Sequence, residues 1–359
     1  MDRRSFLRAA SATGLAGTAA TAGCLGFELS QGGVPPVLEE RPDAVYYPTH
    51  VEAMEMAGMG SGGDYAVAVM YSLPHRFWNV NGESVERTDI RQDDAVHLMA
   101  AVWDPGSGKV LPDTGLSVEI LQGGDLVSQE VIYPMLSQPM GFHYGANFPL
   151  PEDGTYTVRA DVGAVGTRKT GDFREKFAEP AQIDVEFEYS ESTVNDIEVR
   201  NLDNAGEPGA VEPMSMDMVP NSMAPETGDL PGRLLGEATS NDAVLVATVL
   251  DSPPSGVDGD GSYLAVSART PYNRMLLPAM ALDATLTRGG ESVYDDALTA
   301  TLDPDLSYHY GAVVDGVESG DELELTPTVQ PQTARHEGYE TAFGALLGGM
   351  PPATISVEG

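Results

Sequence analysis

The stretch Gly141–Pro151, GFHYGANFPLP, returns at Ser307–Val317 as SYHYGAVVDGV, so a chain with six histidines writes the tetrad His-Tyr-Gly-Ala twice, at His143 and at His309. A shift of 166 residues superimposes the two tetrads and brings other positions into register without a gap. Leu98 falls on Leu264, Pro105 on Pro271, Leu111-Pro112 on Leu277-Pro278, Gly123-Gly124 on Gly289-Gly290 and Gly154 on Gly320. Repeats of this length are whole domains rather than solenoid turns, so the chain reads as a tandem duplication.

Outward from each tetrad run short segments with β-branched or aromatic alternation. The first unit has YAVAVMYS from Tyr65, VHLMAAV from Val96, LSVEIL from Leu116, YTVRADV from Tyr156 and IDVEFEY from Ile183. In the second stand AVLVATVL from Ala243, YLAVSA from Tyr263, ALDATLT from Ala281 and LELTPTV from Leu323. The segments WDPGSGK, QGGD and PEDGT supply the Gly, Pro and Asp that chain reversal needs. The expected fold is all-β, two tandem immunoglobulin-like β-sandwich domains, 45–190 and a degenerate 241–359. Between them 191–240, rich in Gly, Pro, Asn and Met, reads as a linker.

With 359 residues and 42% hydrophobic residues, the chain has material for two cores despite a formal net charge of -36 and a pI of about 4.2. The acidity therefore lies on the surface, as in salt-adapted halophile proteins, and it excludes nucleic acid as a partner, since phosphates need cationic neutralisation. The start, MDRRSFLRAASATGLAGTAATAGCLG, carries Arg3-Arg4 and then an uncharged Ala/Gly-rich stretch. Residues 1–23 read as a twin-arginine lipoprotein export signal and Cys24, the only cysteine, as the lipidated residue. Residues 24–44 follow as a flexible tether, which places the folded part at the outer face of the membrane.

In DDAVHLMAAVWD the period of two puts Val96, Leu98, Ala100 and Val102 toward a core and His97 and Met99 on the opposite face. Met135, Met140 and His143 follow in YPMLSQPMGFHYGAN. Imidazole with thioether is a donor set suited to copper. His75, in SLPHRFWNV, either lines such a site or caps a strand end, and His50 is less placed. There is no Ser-His-Asp order, no nucleotide loop and no cysteine for a blue-copper centre, so the chain reads as a non-enzyme.

DDAVHLMAAVWD, Pro134-Met135, HYGANFPLPEDGTYTV and QIDVEFEY resemble the periplasmic ferrous-iron transport accessory proteins, also described as pathogen-specific antigen lipoproteins, over roughly Met54 to Tyr189. The resemblance implies an immunoglobulin-like fold, usually dimeric, with copper or iron held between subunits, and a role in iron or copper uptake beside a membrane permease. By motif, the family's histidine ligands fall on His97 and His143 and its methionine on Met135. Two departures stand out. Met99 replaces the family's glutamate, which favours copper over ferrous iron, and the loop TRKTGDFREKF lacks the family's last histidine. In the second repeat the same loop reads TARHEGYETAF, with His336 opposite Thr170, while Tyr263 and Thr301 stand where His97 and Met135 do. The halves are thus complementary, and the resemblance implies an intramolecular pseudo-dimer, or a homodimer, with His336 completing the first site. Metal affinity is then expected to fall as pH drops through about 6.5.

Two methionine clusters, Met54-Met56-Met59 and Met214-Met216-Met218-Met223, resemble the spaced motifs of copper carriers. The rival reading is a non-catalytic structural or interaction module of the cell envelope.

Overall fold

The computed structural model describes residues 35–216, 218–345 and 349–358, so Arg3, Arg4 and Cys24 lie outside the described residues. The chain is almost entirely β. Its first half runs through β1 (His50–Glu52), β2 (Glu55–Gly62), β3 (Tyr65–Ser72), β4 (Phe77–Asn81), β5 (Ser84–Thr88), β6 (Val96–Trp103) and β7 (Ser117–Gln122). It continues with β8 (Asp125–Val131), β9 (Tyr133–Ser137), β10 (Gly141–Phe148), β11 (Gly154–Val162), β12 (Arg168–Lys169) and β13 (Ala181–Tyr189). Between the halves β14 (Val199–Asn201) pairs antiparallel with β1. The second half has β15 (Arg233–Ser240), β16 (Ala243–Leu250), β17 (Ser262–Arg269), β18 (Ala281–Arg288), β19 (Glu291–Asp303), β20 (Ser307–Val314), β21 (Glu322–Val329), β22 (Ala334–Arg335) and β23 (Ala353–Ser356).

Each half is two layers. In the first, β2-β3-β6-β10-β9-β22-β4-β5 faces β13-β11-β7-β8. In the second, β15-β16-β17-β20-β19 runs on into β18-β21-β23 because the 13-residue β19 bends from one layer to the other, pairing with β18 and then with β20.

The halves exchange a short strand. From the second half, β22 pairs parallel with β9, Ala334 opposite Met135, and from the first half β12 pairs parallel with β19, Arg168 opposite Thr301. The 166-residue shift converts one contact into the other, so the exchange is reciprocal about a pseudo-two-fold axis. Every residue of β3 and β6 is buried, because both faces of this sheet are covered. Val69 opposite Ala100 and Tyr71 opposite Leu98 mark the face toward the sandwich core. That side is fixed by Gly58, the partner of Val69, where a Cβ would meet Val185 of β13. Ser72 opposite His97 and Met70 opposite Met99 mark the outward face, on which the second half lies.

The connections are more ordered than their composition suggests. The strand Arg233–Ser240 lies inside the stretch read as linker. Elsewhere in that stretch Met214 N donates to Pro139 O at 2.8 Å and Leu276 N to Ser222 O at 2.9 Å. Gly and Pro deny the segment a regular ladder, but its backbone groups still need partners and find them on both halves. Within the stretch read as tether, Arg41 Nη1 reaches Glu340 Oε1 at 3.2 Å. The hairpin β4–β5, with His75 just before it, occupies a longer connection than its counterpart between Leu250 and Ser262.

Candidate metal centre

The tetrad lies within a strand in both halves, β10 and β20. In both halves its tyrosine hydroxyl latches a neighbouring loop: Tyr144 donates to Pro112 O at 3.0 Å, and Tyr310 to Leu277 O at 2.9 Å. In both halves its histidine Nδ1 lies beside the carbonyl two residues earlier, 3.0 Å for His143 and Gly141, 3.1 Å for His309 and Ser307. A carbonyl only accepts, so Nδ1 carries the proton and Nε2 presents a lone pair.

At His97 the tautomer follows from Asn147. Asn147 Nδ2 donates to His75 O at 2.8 Å and its Oδ1 accepts from His75 N at 3.1 Å, which fixes the amide orientation. Asn147 Oδ1 then accepts from His97 Nδ1 at 2.8 Å, and the lone pair again sits on Nε2. His336 extends from the exchanged strand β22, its backbone N donating to Leu136 O at 3.0 Å. The Nε2 atoms of His97, His143 and His336 are all buried without a hydrogen-bond partner. One ligand nitrogen from each lies within 4.8 Å of the others.

Buried polar atoms are ordinarily paired, and leaving three imidazole nitrogens bare side by side costs about 1–3 kcal/mol each. A cation removes that cost. A point 2.8 Å from His97 Nε2 is also 2.8 Å from Met135 Sδ: it is where a Cβ on Gly145 would stand, and glycine leaves it open. Three imidazole nitrogens and one thioether therefore fit a small transition-metal ion. Bonds of about 2.0–2.1 Å would set the nitrogens roughly 3.3 Å apart, a short side-chain adjustment.

Burial keeps these groups neutral. Desolvation lowers His143 to about 4 and holds His97 and His336 well below the ordinary imidazole range, with the other imidazoles pushing His97 and His336 further down. The expectation of titration near 6.5 thus needs correction for the folded state. His75 is lowered by burial as well, opposed by Glu52, whose Oε2 is 3.5 Å from its Nδ1.

The other residues singled out in the sequence take different places. His75 stacks on His97 with ring centroids 4.4 Å apart and meets His336 edge-on at 5.1 Å. Met99 and Met140 line an adjoining cleft that also reaches His75 and His336. His309 belongs to the other half, where Tyr263 Oη is 3.0 Å from its Nε2. Of the methionine clusters, Met216 and Met223 pack against the core, while Met218 is mostly exposed. Sequence reasoning missed Asn147, four residues beyond His143, whose Val313 counterpart could have marked it as special to the first half. It also missed the His50–Glu52 pair, 2.9 Å apart.

A family model described as a domain of unknown function, DUF7350, matches residues 228–355, the second half. No curated protein matches the chain. Among solved structures, a copper-bound variant of FetP from uropathogenic Escherichia coli strain F11 is 20% identical, with 38% of this chain and 97% of that chain covered and a TM-score of 0.29. FetP of the same strain as isolated is 19% identical over 38% and 96%, TM-score 0.29. A copper-bound variant of P19 from Campylobacter jejuni is 17% identical over 38% and 98%, TM-score 0.28. These likenesses are too slight to bear on the site, which rests on its own geometry.

Proposed function

We propose that this chain binds a transition-metal ion, copper before ferrous iron, through His97, His143, His336 and Met135. The observation that carries the reading is that His97, His143 and His336, each with a buried and unpartnered Nε2, bring one ring nitrogen apiece within 4.8 Å of one another, beside a space that Gly145 leaves open next to His97 Nε2 and Met135 Sδ. A thioether with neutral imidazoles and no carboxylate in the set is soft, which favours copper, above all in its monovalent state. The test is a copper titration of the folded protein beside a His97→Ala/His143→Ala variant. Binding is expected to fall at least about a thousandfold, and equal binding would sink the site.

In this reading the protein works outside the cytoplasm as a lipid-anchored accessory to iron or copper uptake, handing its ion to a membrane permease. Support comes from the export-signal pattern at Arg3-Arg4 and from Cys24. Cys24→Ala is expected to release the protein from membranes, and a variant that stays in the membrane fraction refutes the anchor.

A further inference from the structure

A cleft of about 100 Å³ opens beside the histidine cluster. Three methionines from three separate segments line it: Met54 from the β1–β2 connection, Met99 from β6 and Met140 from the turn before β10. Its wall also includes His75 and His336, so the cleft touches the proposed ion site from the solvent side. Met54 is half-buried, whereas Met99 and Met140 are 3% and 4% exposed, so methionine runs from the rim inward. Met99 shares the outward face of β6 with His97, two residues away. Its cross-strand partner Met70 is in turn the partner of Met56 on β2, which is 46% exposed.

Both carboxylates on this wall are already engaged, Glu337 by accepting from Thr49 Oγ1 at 2.9 Å. Glu52 is 2.9 Å from His50 Nε2 and accepts from Ser72 Oγ at 3.0 Å. Besides His75 and His336, the metal-binding side chains left to this cleft are thioethers, which are uncharged and polarizable. They discriminate against hard divalent ions by donor type, and they bind a soft ion loosely enough to exchange it.

Resting on the copper reading above, we propose that Met54, Met99 and Met140 form a loading station for monovalent copper, distinct from the histidine site. The ion passes by ligand exchange from these sulfurs to His336 and its partners. Pliable packing alone would account for methionine in a core, but it gives no reason for three sulfurs to share one solvent-connected cleft beside three bare imidazoles. The station sets the rate of loading, and the histidines set the affinity.

The experiment uses the full chain and copper(I) held by a chelator of known affinity, without oxygen, following transfer by stopped flow and affinity by competition. Leucine keeps the volume of methionine and removes the sulfur. Met54→Leu/Met99→Leu/Met140→Leu is expected to load at least about tenfold more slowly with affinity unchanged within about threefold. An unchanged rate overturns the station, and so does a parallel loss of affinity, which would assign the sulfurs to the histidine-bound ion. If the triple variant does not fold, Met54→Leu alone, at the half-buried rim, is expected to slow loading about threefold, and an unchanged rate there is equally fatal. A wild-type chain that takes no copper at all overturns the histidine site instead, so the two failures are separable.

Discussion

The two tetrad centres share a backbone and differ in what fills it. At the first, Ala334 of the exchanged strand lies opposite Met135, and three imidazole nitrogens stay bare. At the second, the same position is Arg168, and its guanidinium occupies the centre. Its Nη2 donates to Tyr263 Oη and to Gly311 O, both at 2.9 Å, and its Nε to Thr301 Oγ1 at 2.9 Å. Tyr263 in turn donates a hydrogen bond to His309 Nε2 at 3.0 Å, and Thr170, the counterpart of His336, donates to Asp303 Oδ2 at 2.6 Å. One centre presents unpartnered imidazole nitrogens and the other carries its own cation. In the proposed reading, one half of the duplicated chain has replaced an exchangeable ion with a covalent one, which keeps the structural gain of a filled centre and gives up ion binding there. Duplication also explains the repeated tetrad: His, Tyr and Gly hold strand geometry in both halves, and only the surroundings decide whether the histidine is free to ligate.

The largest expected effect sharpens this asymmetry at the histidines. His336→Ala removes a nitrogen that no other group replaces, and copper affinity is expected to fall at least about a hundredfold, as for His143→Ala. His309→Ala, in the plugged centre, is expected to leave affinity within about twofold and the stoichiometry at one ion per chain. Competition titrations of the two variants decide it, and a loss of affinity in His309→Ala would break the comparison.

The tetrad glycines give a second contrast from one kind of substitution. A Cβ at Gly145 would stand 2.8 Å from His97 Nε2 and Met135 Sδ, in the space assigned to the ion. At Gly311 it would strike the Tyr263 hydroxyl and lie 2.9 Å from the backbone oxygen of Leu264. Gly145→Ala is therefore expected to fold and to bind copper at least about tenfold more weakly, since the Met135 side chain can yield. Gly311→Ala is expected to destabilise by about 2 kcal/mol and to spare binding, since a backbone cannot yield as cheaply. Denaturant melts beside metal titrations read both. Equal stability losses in the two variants would mean that the first centre is as tightly packed as the second.

Much of this was legible in the sequence, for definable reasons. The β character and the repeat came from alternation and an ungapped shift, and the same shift set His336 opposite Thr170. What escaped was short or inserted. The exchanged strands are two residues each, far below any periodicity, so the contrast of Arg168 with Ala334 at equivalent positions was not visible as the presence of a built-in cation in one centre alone. The hairpin β4–β5 has no counterpart in the second half, so the shift could not place His75. Asn147 acts through an amide whose orientation depends on the His75 backbone, a contact across 72 residues. Met99, read as a ligand candidate from its spacing to His97, shares the expected face and lines the adjoining cleft.

The smallest expected effect is on pH dependence. Burial depresses His143 and His309 alike to about 4, against about 6.5 in an unfolded chain. Between those values the unfolded chain binds more protons than the folded one, so metal-free stability rises with pH and is lost as pH falls from about 6.5 toward 4. Both centres contribute to that slope, and His143→Ala and His309→Ala are expected to flatten it to a similar degree. Affinity behaves otherwise. An exposed imidazole ligand loses about tenfold at one unit below its pKa, whereas a ligand already held neutral by the fold loses almost nothing. Copper affinity is therefore expected to change less than about threefold between pH 7 and 5.5, and calorimetry in two buffers at pH 6 should show almost no proton release on binding. A tenfold or steeper fall over that range would mean that the imidazoles gain protons in the folded, ion-free protein, and that the first centre, unlike the second, opens to water before it fills.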